Sequence, residues 1–346
     1  KSTFNFEVPS HRFDLSIKED LIEEIARMIG YDNLPQIKSD PVSQNYEISE
    51  YDFLNAIKVF MKNKGFLEVI NYSFLDGKVL ENLNIAEESI ALKNPLNNSL
   101  STLRTSLLPS LAESLEFNLN REQNFLKLFE IGKTFSKKNP KESLNLAALL
   151  YDNEKMKNWN SNQNLDFYHL KGIIEDLATE FRLSELSWKK TTNDLLHPYA
   201  SADIFQKNKK IGSVGSLNPR YLKTIDLAKP FYYLELKIDS LHRKNLEKLV
   251  SSSIYPTSQR DFSFEVDKDI SYEQIESCIR SASESYLQSL RIFDVYAGKN
   301  IAQNKKSIAF RITWGSNKKT LSEDDINKET SLIISGLERE LNAILR

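Results

Sequence analysis

Asp14, Asp20, Glu23 and Glu24 are the first residues in this chain whose types and spacing suit a chemical role. The last three fall within one turn and on one face of a helix predicted over about 16–29, and Asp14 lies just upstream, able to fold back. Four hard oxygen donors with no His or Cys among them suit Mg2+, which usually keeps several waters. The same spacing also describes a solvated helix face whose acids favour the N-terminus. On spacing alone that plainer reading is favoured.

A second constellation is electrostatic. Between Val295 and Ser322 there are six basic residues and no acid: Lys299, Lys305, Lys306, Arg311, Lys318 and Lys319. Two adjacent predicted strands and their loops carry them, where Lys and Arg can meet RNA phosphates. Charged protection of a strand edge would look the same. Alternation along the strands adds detail. Phe262, Phe264, Val266, Ile308, Phe310, Ile312 and Trp314 point to one side, under two predicted helices, and Ser263, Ser307, Ala309, Arg311 and Thr313 point to the other. With the middle strand in phase, Asp294 and Tyr296 join that open face. Small polar groups and a Tyr on a helix-free sheet can read unstacked RNA bases, and they can equally be plain exposed sheet.

Several chemistries are absent. His11, His169, His197 and His242 are scattered, with no His or Cys beside any of them, and suit caps or surface positions better than a metal motif. The chain has ten glycines and neither GxxxxGK[ST] nor GxGxxG; Gly212-Ser-Val-Gly215 follows a strand but opens no helix, so it is not a nucleotide loop. No GxSxG, HExxH or nucleophile–base motif occurs. One cysteine, Cys278, excludes a disulfide framework and any thiolate zinc site, as a reducing cytoplasm would favour. A net charge of −2 over 346 residues gives no whole-chain argument for nucleic acid or an anionic membrane. No apolar stretch approaches the roughly 18 residues of a membrane span, and the N-terminus lacks a signal-peptide core.

These residues need elements to hold them. The length predicts two or three domains. After the first helix, which stops at Gly30, Pro35 and Pro41 bracket a boundary. Over 41–250 the pattern is mixed: helices at 49–64, 107–121 and 167–181, and strands at 66–74, 89–93, 125–135, 144–151, 200–206, 211–217 and 231–238. Short polar turns between strands predict an antiparallel sheet with helices packed on it. From 251 to 346 the order is β-α-β-β-α-β, with capping boxes at Ser271/Gln274 and Ser322/Asp325, as in the ferredoxin-like fold. The fold class is α+β.

Several stretches together resemble one family. Arg12-Phe-Asp14-Leu-Ser-Ile-Lys-Glu-Asp20-Leu-Ile-Glu23-Glu24, running on to Pro35, resembles a signature of the bacterial phenylalanyl-tRNA synthetase β subunit. Asn94-Pro95-Leu96, Leu103-Arg104-Thr-Ser-Leu-Leu-Pro109, Leu128-Phe-Glu130-Ile-Gly132 and His197-Pro198 fit the same family. So do Tyr255-Pro256, Arg260-Asp261-Phe-Ser-Phe264, Phe293-Asp-Val-Tyr296 and Lys306-Ser-Ile-Ala-Phe310-Arg311. They occur in the family's order along nearly the whole chain.

The resemblance implies a C-terminal portion of that subunit. Residues 1–40 would be part of a winged-helix-like segment, 41–250 a class II synthetase-like core without catalytic motifs, and 251–346 a ferredoxin-fold anticodon-binding domain. The motif-2 pattern of Arg followed two residues later by Glu is indeed missing at Arg104. It implies an α2β2 assembly whose α subunit binds ATP and charges tRNA-Phe, and a Mg2+ shared with α at Asp14, Asp20, Glu23 and Glu24. RNA contacts are expected at Ser263, Asp294, Tyr296, Ser307, Arg311, Lys305 and Lys306, with no catalytic residue in this chain. The family's β chain is about twice as long, so its editing activity belongs outside these residues. Two other readings compete: a synthetase-like interaction protein that binds no tRNA, and a free-standing metal-assisted hydrolase on the acidic cluster, which lacks a base or nucleophile.

Overall fold

The computed structural model describes residues 4–35, 50–138, 142–152, 165–224, 227, 229–242, 253–283, 286–298 and 301–346. The chain divides into two compact units, Lys1–Asn245 and Leu246–Arg346.

The first unit begins with α1 (Lys18–Ile29), which starts two residues later than its periodicity suggests. The reason is Asp20, whose Oδ2 accepts the backbone N–H groups of Ser16 and Ile17 at 2.8 and 2.9 Å and so fixes the first turn. Gly30 ends the helix at φ 87°, a left-handed conformation that favours glycine. Helix α2 (Glu50–Asn63) follows and stops at Gly65, φ 84°; its expected cap Ser49 lies outside the described residues.

Phe66–Phe74, expected as one strand, is two short ones: β1 (Leu67–Glu68) and β2 (Phe74–Leu75). The segment between them is anchored by the Asn71 side chain, bonded to Glu130 and Ser114. A helix absent from the sequence reading, α3 (Gly77–Asn82), is capped by Asp76. Next come β3 (Ile90–Ala91), β4 (Thr102–Leu103), α4 (Leu108–Leu119), β5 (Phe125–Phe135), β6 (Glu142–Asp152) and α5 (Phe167–Glu180). In α5, Asp166 and His169 form the capping box, so that histidine is a cap. Strand β7 (Leu186–Lys190) has too weak an alternation to read. Strands β8 (Leu196–Gln206), β9 (Lys209–Leu217) and β10 (Tyr232–Lys237) complete the unit.

Seven strands form one sheet in the order β1-β5-β6-β10-β9-β8-β7, antiparallel except for β1 against β5. Both its faces are covered, so β6 reads as a continuous apolar run instead of an alternation. Leu146, Ala148 and Leu150 join the core made with Ile57 and Met61 of α2 and Leu170 and Ile174 of α5. Ala147, Leu149 and Tyr151 join the core under Leu108, Leu111 and Leu115 of α4. The glycines of Gly212-Ser-Val-Gly215 serve close strand packing: a Cβ on Gly215 would lie 2.3 Å from the Ser201 Cβ.

The second unit contains β11 (Ser258–Asp267), α6 (Tyr272–Ala282), β12 (Leu287–Tyr296), β13 (Lys305–Trp314), α7 (Glu323–Leu341) and β14 (Ile344–Leu345). Its antiparallel sheet has the order β12-β13-β11-β14, the ferredoxin-like arrangement. Phe264 and Phe310 stack at 5.7 Å in a core with Ile275, Ile279, Ile333 and Leu337 of the two helices. Both expected capping boxes are present.

Candidate nucleic-acid interface and the buried polar core

The four N-terminal carboxylates do not converge on a shared cation position. Arg12 stands between two of them: its guanidinium donates to Asp14 at 2.8 Å and to Glu24 at 2.5 Å. Glu24 also accepts from Arg27. These arginines hold Asp14 and Glu24 below the usual carboxylate range, and backbone N–H groups do the same for Asp20. Glu23 forms no ion pair among the described residues. No group of three or more His, Cys, Asp or Glu side chains among them is arranged to hold a metal. As placed, this donor set does not fit Mg2+, because Asp14 and Glu24 turn their oxygens to Arg12 and Arg27, Asp20 is engaged at the helix start, and Glu23 alone is left.

In the second unit, register decides which residues share the helix-free face. Directly opposed residues of antiparallel strands point to the same side. Arg311 is opposite Asp261, Ala309 opposite Ser263, and Ser307 opposite Glu265. Asp294 is opposite Ala309 and Tyr296 opposite Ser307, so both expected residues of the middle strand lie on the open face. The Ser263 and Ser307 hydroxyls are 3.0 Å apart, and Ser307 is buried.

The basic stripe is less free than its sequence suggests. Arg311 makes a bidentate pair with Asp261 at 2.7 and 2.8 Å, which raises the arginine and lowers the carboxyl in pKa. Lys305 lies 3.8 Å from Glu265. Lys306 is opposite Val266 and so belongs to the helix side, contrary to the expectation that it joins the RNA-facing stripe. Its Nζ caps the backbone carbonyls of Lys268 and Ile270 at 2.9 and 2.6 Å, and burial lowers its pKa. The compensating acids come from β11, forty residues away in sequence for Lys305 and fifty for Arg311, which local charge counting cannot pair. Lys299 lies outside the described residues.

Sequence reasoning missed Arg291. A bulge between Ile292 and Asp294 shifts the phase of β12, setting Arg291 opposite Arg311 on the open face. Strict alternation back from Tyr296 would have put Ile292 there instead.

The first unit holds a polar network where its signature motifs meet. Arg104 donates to Glu130 at 2.7 Å and to the Lys133 carbonyl at 3.0 Å, with both side chains buried. The other Glu130 oxygen accepts from Asn71 at 2.9 Å, and the Asn71 carbonyl accepts from Ser114 at 3.0 Å. Asn71 is thereby pinned from two sides between Ile70 and Tyr72, which are 89% and 75% exposed. On the same sheet face Glu235 accepts from Ser106, Asn145 and Tyr233 at 2.6, 2.7 and 2.8 Å. Burial and the neighbouring Glu235 push the Tyr233 hydroxyl well up. Each of these acids is satisfied from within the chain, and Arg104 is engaged by Glu130. Cys278 is buried in the other unit, its thiol pushed up to about 11 by burial, so it does not suit a thiolate role.

Residues 33–238 match the family profile described as phenylalanyl tRNA synthetase beta chain CLM domain. The chain belongs to the phenylalanyl-tRNA synthetase β-chain family. Residues 253–346 match the ferredoxin-fold anticodon binding domain and residues 1–31 the tRNA synthetase B5 domain. Among curated relatives, the phenylalanine–tRNA ligase β subunit of Legionella pneumophila (strain Paris) is 36% identical over 99% of this chain and 44% of its own length. Those of Pseudomonas fluorescens (strain Pf-5) and Hahella chejuensis are 34% and 32% identical, over 98% and 100% of this chain. The chain spans less than half the length of each of these β-chain relatives, at 44%. For this β-chain family member, no described helix is long and apolar enough to cross a membrane.

Proposed function

We propose that this chain is the non-catalytic β portion of a phenylalanine–tRNA ligase. It would scaffold an α subunit that binds ATP and charges tRNA-Phe in an α2β2 assembly, and would bind the tRNA anticodon in the cytoplasm. The observation that carries this reading is the helix-free sheet face on which Ser263, Asp294, Tyr296, Ser307 and Arg311 lie together. A ring for stacking, hydroxyls and a carboxylate for base edges, and arginines for phosphate are the groups that single-stranded RNA recognition uses. The division 1–40, 41–250 and 251–346 into a partial winged-helix-like segment, a synthetase-like core and an anticodon-binding domain belongs to the same reading. Its contribution to charging is positional, because a fixed anticodon sets where the acceptor end falls.

Binding to α has its own support. Leu67, Ile70 and Tyr72 are exposed on and beside the edge strand β1, an apolar surface suited to a partner. A Mg2+ shared with α at Asp14, Asp20, Glu23 and Glu24 would require Arg12 to release two carboxylates and Asp20 to leave the helix start. No step is assigned to that ion.

The neutralised cations Arg311 and Lys305 favour a second reading, an interaction protein that binds no tRNA. Equilibrium binding separates the two. The chain is expected to prefer a tRNA-Phe transcript over one with its anticodon replaced, and Tyr296→Ala to weaken cognate binding about tenfold through loss of stacking. No measurable binding of either transcript, or only weak binding that is equal for both and unchanged in Tyr296→Ala, supports the second reading.

A further inference from the structure

We infer that Arg291 is a phosphate-contacting residue of the open sheet face, its ligand a phosphodiester of single-stranded RNA laid across β12 and β13. The inference rests on the RNA-binding reading above and goes beyond it by assigning the electrostatic contact to one residue. Strands β11, β12 and β13 carry five cations: Arg260, Arg291, Lys305, Lys306 and Arg311. Arg260 reaches Glu323 at 4.0 Å, Lys305 faces Glu265, Lys306 caps two carbonyls and Arg311 is held by Asp261. Arg291 has no hydrogen bond or ion pair among the described residues, and it is exposed.

Its position compounds this. Arg291 stands directly opposite Arg311, and like charges opposed across a strand pair are unfavourable. Asp261, on the far side of Arg311, neutralises only one of the two guanidinium groups. The row Arg291–Arg311–Asp261 therefore carries one uncompensated positive charge at the exposed edge strand. An anion placed there relieves the repulsion that folding leaves. Two residues beyond Arg291, Phe293 sits at the bulge and is 55% exposed, and Tyr296 lies farther along the same strand. A cation followed by aromatic groups along one strand matches a backbone-and-base polymer, with the phosphate at one end and bases stacked along the strand. Asp294 on the same face can accept from the exocyclic amine of a base, a donor that acidic side chains do not offer.

The test is binding of a fluorescent tRNA-Phe transcript to the whole chain as wild type, Arg291→Gln, Arg291→Lys and Tyr296→Ala, from about 50 to 300 mM salt. Arg291→Gln is expected to weaken binding roughly fivefold and to reduce the slope of log K against log salt by about 0.7, the value of one phosphate on a single strand. Arg291→Lys keeps the slope. The melting temperature of Arg291→Gln stays level or rises, because an unfavourable charge pair is removed. If Tyr296→Ala weakens binding while Arg291→Gln leaves affinity and slope unchanged, the assignment of Arg291 falls and the RNA face stands. If Arg291→Gln weakens binding with the slope intact, the contact is not to phosphate and the inference is overturned. If no variant has an effect, the RNA-binding reading itself fails, and this inference with it.

Discussion

Arg104, Glu130 and Gly132 show how a sequence motif follows from one buried ion pair. Desolvating a guanidinium and a carboxylate is costly, and the cost is offset only when both are well bonded; Arg104 has the carboxylate and a carbonyl, Glu130 has Arg104 and Asn71. Gly132 follows from the same geometry, since a Cβ there would sit 2.3 Å from the Arg104 guanidinium and 3.0 Å from Glu130. Glu130→Ala strands a buried cation and is expected to cost about 3–5 kcal/mol in urea unfolding. Gly132→Ala should be destabilising through the same pair. A loss under about 1 kcal/mol for Glu130→Ala would mean that water or another acid replaces the carboxylate. The sequence marked these residues only through family resemblance. No local pattern pairs Arg104 with a Glu 26 positions away, and an acid inside the apolar run of β5 looks like an interruption. The acidic cluster illustrates the converse: its spacing on α1 was legible, but Arg12, which bridges Asp14 and Glu24, was not.

Among elements, those with long periodic patterns were legible in their bounds, whereas of the short strands only β3 and β14 each fall where a single strand was expected. Strand β5 matches its expected bounds, α5 ends one residue early, and α6 and α7 start at their expected capping residues Ser271 and Ser322, because capping residues and apolar periodicity agree there. Strands β1 to β4 are two residues each, too short for alternation to register, and their positions depend on tertiary bonds such as Val69 N–H to the Phe129 carbonyl. In β12 the period was read correctly from Tyr296 to Asp294 and lost at the bulge. Helix α7 offers a pH test of its start. Lys319 first, then the Ser322 backbone and hydroxyl, lower the Asp325 carboxyl from 3.8 to about 2. A carboxyl depressed on folding contributes stability above 3.8, and that contribution disappears as pH falls through about 2. Asp325→Asn is expected to melt below wild type at pH 7, and the gap should close between pH 4 and pH 2. A gap as wide at pH 2 as at pH 7 would show that the charge of Asp325 plays no part in the cap.

For the molecule as a whole, the near-zero charge balance concealed an arrangement that only the fold reveals. The second unit sets strand cations against strand acids and leaves Arg291 over, while the first unit buries its polar groups in closed networks and exposes apolar side chains beside β1. Such an arrangement fits the proposed role of holding partners in place. The α+β class and the ferredoxin-like order were legible in the sequence, whereas the two-faced burial of the large sheet needed its strand order. The most direct measurement is co-purification of this chain with the α subunit, followed by phenylalanine charging of tRNA-Phe by the chain alone, α alone and the mixture. A stable complex with α, and no charging by the chain alone, is the predicted result. A folded chain that fails to bind an α subunit active in a control with its own β chain, or one that charges tRNA-Phe without α, would contradict the account.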